Sequence, residues 1–375
     1  MKPQRGQSRW GGVALLAGLL GSAACGQPFS AAAGAGGGGS GGAGHGGAAA
    51  SGTGGVAASS GSGVAKCPAA SCSAGEYCES ASSTCQMCAE LGRFQFGAPV
   101  ATGVTVPATG SSALYPRPDR DTGQLFFVQQ DTTIAHQDQI AVAASMPGEA
   151  AWTQGTLLQQ LVGVYQDSGP LYISAPSVLT GLVANSVAMS TAPVLLFDSN
   201  RTTGKRQVFA AVLGAATPPA VVTLPGGAVR ASRIAISLAA TPPRFWWISD
   251  ATTGIERLVT GTATDNTPGD VPVLLDSDCP TTLADAPWVT PGGERLLFAS
   301  VHTSAPPACT PDPTITHLYQ VVLSPDGTAP TKASPVFPGD TNLDTDPALT
   351  TDMCALLFAR FDDQGNGQIY QAPRN

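Results

Sequence analysis

The sequence predicts an all-β chain made of small repeated sheets, and three observations carry that prediction. Beyond residue 92 no helix-period pattern persists; short bursts of Val, Ile, Leu, Phe and Trp, separated by Pro, Gly, Asp and Thr, take its place. The bursts recur as one unit: "QLFFV" (Gln124–Val128), "VLLFD" (Val194–Asp198), "RFWWIS" (Arg244–Ser249), "RLLFAS" (Arg295–Ser300) and "ALLFAR" (Ala355–Arg360). Each is followed by a second strand candidate, in order "DQIAVAA", "RQVFAAV", "IERLVTG", "THLYQVV" and "GQIYQAP". Units of roughly 40–50 residues with several strands each are the signature of a β-propeller.

The bursts are continuously apolar because a stacked blade is covered on both faces. Trp246 and Trp247 are adjacent, so they point to opposite faces of one strand, and a blade stacked between two neighbours can bury both. The last aromatics of the bursts, Phe127, Phe197, Trp247, Phe298 and Phe358, stand 70, 50, 51 and 60 residues apart. The interval of 70 leaves room for a degraded blade between Ala143 and Leu182, with "LVGVYQ" and "GPLYIS" as its strands. From Gly92 to Asn375 there are 284 residues. At about 45–50 per blade this length favours six blades, with five as the alternative. A ring loses its free edges only when its first and last blades meet. "RFQFGAPVATG" (Arg93–Gly103) is therefore expected to pair with the final blade, burying one face of the alternating Phe94 and Phe96.

Within these units "APWVTPGGERLLFAS" (Ala286–Ser300) carries Pro287, Trp288, Thr290, Pro291, Gly293, Leu296 and Phe298 roughly in the pattern P-x-W-S-P-D-G-x-x-L-x-F. The last unit keeps Asp346, Pro347, Asp352, Leu356, Phe358, Arg360, Ile369 and Tyr370, and the first keeps Pro116, Asp121, Gly123, Leu125 and Phe127. These residues resemble the WD40-like (PD40) repeat of TolB-type β-propellers. The resemblance covers about three quarters of the chain. It implies a non-catalytic binding protein, with a protein partner first and a glycan second. "SPDG" (Ser324–Gly327) follows a strand and reads as a plain turn.

Residues 92–375 form the predicted propeller, and the residues before it divide into three parts. Residues 1–24 read as a signal peptide: Lys2, Arg5 and Arg9 precede an uncharged run from Gly11 to Ala24 that is too short to span a bilayer. Cys25 after "GSAA" resembles the acylated cysteine of a bacterial lipoprotein, and Gly26 after it implies the outer membrane or cell surface. Residues 25–66 are the lipidated cysteine and a tether: 15 of the 34 residues from 31 to 64 are Gly, the rest mostly Ala and Ser. Such a segment builds no core and is expected to be disordered. The "GGSGG" and "GAGGGG" strings inside it follow no strand and open no helix, so they are compositional accidents.

Residues 67–91 form a Cys-rich module containing Cys67, Cys72, Cys78, Cys85 and Cys88. An exported chain meets oxidising conditions, and only Cys85 and Cys88 have paired C-x-x-C spacing, so disulfides are expected before zinc. Five is odd, so one of these cysteines pairs elsewhere or stays free, and Cys354 is a candidate partner. Cys279 and Cys309 flank one apolar burst and are expected to bond to each other.

Chemistry is sparse. The chain carries 18 Lys and Arg against 26 Asp and Glu, a net charge of −8, with no basic track for a phosphate backbone, so no nucleic-acid partner is expected. His45, His136, His302 and His317 show no metal-ligand spacing. Asp340, Asn342, Asp344 and Asp346 alternate like a calcium loop but lack its Gly and its closing Glu. "DDQGNG" (Asp362–Gly367) likewise lacks the Glu. No catalytic residue, cofactor or metal ligand is assigned. Trp246, Trp247 and Trp288 are read as core before sugar platform. The expected function is a lipid-anchored envelope protein that binds a protein or glycan partner, touching the membrane through the anchor alone. The alternative is an exported propeller hydrolase or lyase acting on polysaccharide or peptide.

Overall fold

The computed structural model describes residues 76–79, 84–88 and 94–374. Within the last range it leaves out 105, 107–110, 120–122, 132–136, 145–151, 164, 203–205, 226–230, 239–240, 250–256, 266, 272, 275–279, 282–283, 301–315 and 330. A hairpin of β1 (Glu76–Glu79) and β2 (Thr84–Met87) comes first, and its register sets Cys78 opposite Cys85. The short strand β3 (Val100–Ala101) follows.

Five four-stranded antiparallel blades then form a ring. Blade 1 is β4 (Ser111–Pro118), β5 (Gln124–Asp131), β6 (Gln137–Ala144) and β7 (Thr156–Leu157), from the axis outward. Blade 2 is β8 (Asp167–Ile173), β9 (Val194–Ser199), β10 (Gln207–Val212) and β11 (Ala220–Val221). Blade 3 is β12 (Ala231–Ser237), β13 (Arg244–Ser249), β14 (Arg257–Thr262) and β15 (Gly269–Asp270). After the small pair β16 (Val273–Leu274) and β17 (Pro280–Thr281), blade 4 is β18 (Ala284–Val289), β19 (Arg295–Ser300), β20 (His317–Val322) and β21 (Ser334–Pro335). Blade 5 is β22 (Leu343–Leu349), β23 (Ala355–Phe361) and β24 (Gly367–Pro373), completed by β3. Each innermost strand adjoins the innermost strands of both neighbouring blades, β22 meeting β4, so the ring is closed.

The favoured count of six is thus corrected to five. "GPLYIS" is no hidden blade; its Gly169–Ile173 lies in β8, the innermost strand of blade 2, paired with the "VLLFD" burst. "LVGVYQ" forms no strand among its described residues. The long interval is absorbed by the loop from Ser174 to Pro193, which holds a 3₁₀ turn (Pro176–Leu179) and a single helical turn, α1 (Asn185–Ala188). Leu179, Leu182 and Val187 of this loop are buried in the core between blades 2 and 3. Insertions in loops cost little closure entropy, so a blade tolerates such an extension.

Each burst is the second strand of its blade, and its side chains feed two inter-blade cores. Trp247 packs with blade 2 and Trp246 with blade 4, at 0% and 1% exposure. Phe197 sits between blades 1 and 2, and Phe358 between blades 4 and 5. Burying one such side chain stabilises by about 1.5–3 kcal/mol, and each blade contributes to both of its interfaces. The "SPDG" turn is a turn: Gly327 adopts φ 81°, and its carbonyl accepts the Trp246 indole N–H at 3.2 Å. A Cβ there would meet Arg244 Cδ at 2.6 Å, so the position requires glycine.

The N-terminal segment closes the ring as expected. Ala101 pairs with Tyr370 and Val100 with Gln371, and the Thr102 hydroxyl donates to the Ile369 carbonyl at 2.9 Å. Phe94 is buried and Phe96 packs beside it. The guanidinium of Arg374 lies over the Phe94 ring at 3.9 Å and that of Arg295 at 4.4 Å. Cys88 is bonded to Cys354 at the start of β23, with Cα atoms 5.0 Å apart. Of the other expected cysteine sites, Cys25, Cys67, Cys72, Cys279 and Cys309 lie outside the described residues, and Cys78 and Cys85 are placed only by their backbone.

Candidate functional site

The five innermost strands share one irregularity. Their pairing with the second strand shifts at Leu114/Arg117, Ser168/Leu171, Ser232/Ala235, Asp285/Trp288 and Thr345/Ala348. At each shift one residue takes a left-handed backbone: Tyr115, Gly169, Arg233, Ala286 and Asp346. A left-handed conformation costs a non-glycine residue roughly 1–2 kcal/mol, so four such positions on one ring are a concentration of strain of the kind found at functional sites. The bulge bends the strand and re-aims its side chains. In four blades a proline follows at once, Pro116, Pro170, Pro287 and Pro347, which removes an N–H that the disturbed ladder would leave unpaired. Ile234 takes that place in blade 3.

At the level of these bulges the axis is filled by a polar network. Arg233 pairs with Asp285 of blade 4 and donates to the Tyr115 hydroxyl of blade 1. The Tyr115 amide points to Asp346 Oδ2 at 3.4 Å, and the Arg233 amide to Asp198 Oδ1 at 3.4 Å. Asp198 also accepts the Ser168 hydroxyl at 2.7 Å and Arg206 Nη1 at 2.8 Å. Gly169 is required here, since a Cβ would stand 2.6 Å from Asp198 Oδ1. Burial pushes the Asp346 carboxyl up to about 6 against the pull of Arg233 and Arg117, and raises the Tyr115 hydroxyl well above its usual range. One oxygen of Asp346, Oδ1, is buried without a partner.

Beyond the bulges, toward the loops that join the first and second strand of each blade, the axis opens into a pocket of about 120 Å³ lined by all five blades. Leu171, Tyr172, Ile236 and Trp288 provide apolar wall, and Ser174, Leu238, Thr350 and Thr351 lie in or beside the loops at its mouth. Arg117 marks the boundary between the two levels. Its Nη1 donates to the carbonyls of Pro116 at 3.1 Å and Pro347 at 2.8 Å, and its Nη2 lies 3.5 Å from that of Pro287, so the side chain spans from blade 1 to blades 4 and 5. Burial pulls its pKa down to about 10, which leaves it cationic at neutral pH.

The residues singled out in the sequence are distributed otherwise. Trp246 and Trp247 are core, and Trp288 alone of the three lines the pocket. Asp340 and Asp344 both bind Arg360, the latter with each oxygen at 2.7 Å, and Asp346 turns to the axis, so these residues form an arginine clamp rather than a cation loop. Asp362 accepts the amides of Gln364 and Asn366 at 2.9 and 2.8 Å, as a turn does. His45, His136 and His302 lie outside the described residues; His317 opens β20. Among the described residues no group of three or more His, Cys, Asp or Glu could hold a metal ion. Tyr115, Arg117, Arg206 and Arg233 went unnoticed in the sequence, although the dipeptides Tyr115-Pro116, Gly169-Pro170, Ala286-Pro287 and Asp346-Pro347 mark four of the five bulges.

No protein-family model and no curated protein matches the chain. Among solved structures, it is similar to a putative TolB from Agrobacterium tumefaciens, with a TM-score of 0.39 and 12% identity over 68% of this chain and 72% of that one. It is also similar to TolB from Acinetobacter baumannii, with a TM-score of 0.38 and 10% identity, where 70% of this chain spans 54% of that protein. A third is the GH43_1 enzyme from Xanthomonas citri complexed with xylotriose, with a TM-score of 0.44 and 15% identity over 74% of this chain and 90% of that one. At these identities no residue role carries over.

Proposed function

We propose that this chain is an exported, lipid-anchored protein of the cell envelope whose five-bladed propeller is a binding module. Its axial pocket receives part of a protein partner, with a glycan as the second choice. One observation supports this most directly: two of the axial carboxylates, Asp198 and Asp285, are occupied by cations, an amide and a hydroxyl, whereas the pocket above them is open. Asp285 has Arg233, and Asp198 has Arg206 and Ser168. Hydrolysis by a carboxyl pair needs two acids free to take different proton roles on either side of one bond.

The test is capture from an envelope extract on the immobilised mature protein, followed by mass spectrometry. The same partner should be lost when the pocket mouth is filled by Leu238→Trp. Recovery of no protein by either form, together with cleavage of a polysaccharide or peptide by the wild type, would replace this reading with the hydrolase or lyase. Asp346 favours that second reading, because a carboxyl held near 6 is in the range of a general acid. The anchor has its own test. Radiolabelled palmitate should label the wild type and leave Cys25→Ser unlabelled; labelling of neither removes the anchor.

A further inference from the structure

The segment from Cys88 to Thr102 is a strap along the seam of the ring, and its two ends are fixed differently. One end is covalent: Cys88 is bonded to Cys354, just before β23. The other is β3, which pairs with β24 through only two residues, and both of them are exposed, Val100 at 65%. Between the ends, the Gly97 amide donates to the Pro373 carbonyl at 2.7 Å and Gln320 Nε2 to the Phe94 carbonyl at 2.7 Å. A strand with so few pairs and so little burial belongs to the low-stability end of a fold. The blade beneath holds itself without the strap. β23 and β24 pair through seven residues, and the loop carrying Cys354 is closed by its own bonds, Asp352 Oδ1 accepting the Thr350 hydroxyl at 2.6 Å and the Cys354 amide at 2.9 Å.

The disulfide is accessible from one side. Cys88 is fully buried, whereas Cys354 is partly exposed. Arg374 joins the two, its amide donating to the Cys354 carbonyl at 2.7 Å and its Nη1 to the Cys88 carbonyl at 2.8 Å. A cation beside a cysteine stabilises its thiolate, which favours Cys88 as the leaving group.

We propose that the Cys88–Cys354 bond is a redox latch: a dithiol reductant opens it and releases the strap from blade 5 while the blades stay folded. A thiolate of the reductant attacks Cys354 Sγ, the S–S bond breaks, and Cys88 leaves as its thiolate. The second thiolate of the reductant then displaces Cys354 and closes the reductant's own disulfide. Two electrons pass to the protein, and with two protons both cysteines end as thiols. A strap fixed at both ends becomes a chain end, and chain ends fray. Its departure removes Phe96 from Phe337, which packs on Phe358 of β23. The latch goes beyond the binding reading and does not depend on it.

The experiment follows hydrogen exchange of the mature protein by mass spectrometry before and after dithiothreitol, with iodoacetamide marking freed thiols. Cys354 should be alkylated in the folded state. Exchange over residues 94–102 should rise at least about tenfold, and over β23 should stay within about twofold. Glutathione disulfide, given in place of iodoacetamide, should restore slow exchange. Dithiothreitol reduces every disulfide, so the double variant Cys88→Ala, Cys354→Ala isolates this one; it should exchange fast over 94–102 with no reductant. Should that variant fail to fold, the reduced wild type decides alone. A Cys354 that stays unalkylated, or unchanged exchange over 94–102, overturns the latch. Equal loss of protection over β23 also overturns it, and makes the bond a staple of the whole ring.

Discussion

The same five strands build two opposed environments on one axis. At the bulges, Tyr115, Arg233, Asp346 and their neighbours interlock and fill the centre. A few residues further along each strand, the centre is open, apolar-walled and bounded by loops. The two levels differ in what holds them. The closed level is held by charge pairs whose partners come from different blades, so loss of one side chain strands another in a poorly solvated place. The open level is walled by Leu171, Ile236 and Trp288, which also pack against the cores between blades. A propeller can therefore fix its geometry at one level of the channel and leave the next free to vary, and the bulge is the boundary between them.

The strongest way to break this contrast is at Arg233. Arg233→Met leaves Asp285 without its cation and the Tyr115 hydroxyl without its donor, and urea unfolding should show a loss of about 2–4 kcal/mol. A double-mutant cycle with Asp285→Asn should give a coupling energy above 1 kcal/mol; additivity of the two would mean the network is ornamental. Gly169→Ala should follow at about 2–3 kcal/mol, since it adds a left-handed alanine and presses a methyl onto Asp198. A Gly169→Ala protein melting with the wild type would show that the blade 2 bulge is not fixed as described.

Acidity tests the closed level more gently. Asp346 and Asp167 each keep a proton to about 6 in the fold, raised first of all by burial, whereas an unfolded aspartate loses it near 3.9. The folded chain thus binds more protons between those values. Its stability contribution is complete below about pH 4 and is lost as pH rises through 6. Asp346→Asn should remove its share of that decline, on the order of 1–3 kcal/mol, visible as a flatter melting-temperature profile from pH 4 to 7. At the open level, Leu238→Ala and Thr351→Ala should each change stability by less than about 0.5 kcal/mol, by the same urea measurement. A larger loss would mean that the pocket mouth is part of the scaffold.

Much of the architecture was legible because it is written in apolar periodicity. The bursts, the opposite burial of Trp246 and Trp247 and the return of the Phe94 segment to the last blade all follow from the need to cover both faces of every sheet. The blade count did not follow. In blade 2 a loop of about twenty residues separates the innermost strand from its partner, so "GPLYIS" looked like the remnant of another unit. The axial network was hidden for a different reason. What Tyr115, Gly169, Arg233, Ala286 and Asp346 share is a backbone angle, not a side-chain chemistry, and their contacts cross between blades far apart in sequence. The pairing of Cys88 with Cys354 joined an odd cysteine to the partner that parity suggested; the spacing of the cysteines could not say which of the five it was.

The strand that completes blade 5 also sets a timetable. Val100 and Ala101 are synthesised early, but their hydrogen-bonding partners Gln371 and Tyr370 come some 270 residues later. Contacts so distant along the chain form late, after loop entropy has been overcome. Until residues 367–373 are in place, β3 has no strand to pair with and blade 5 lacks both of its outer strands. Loss of the last strand therefore also frees the first, so a single break at residues 367–373 opens blade 5 at both of its outer positions.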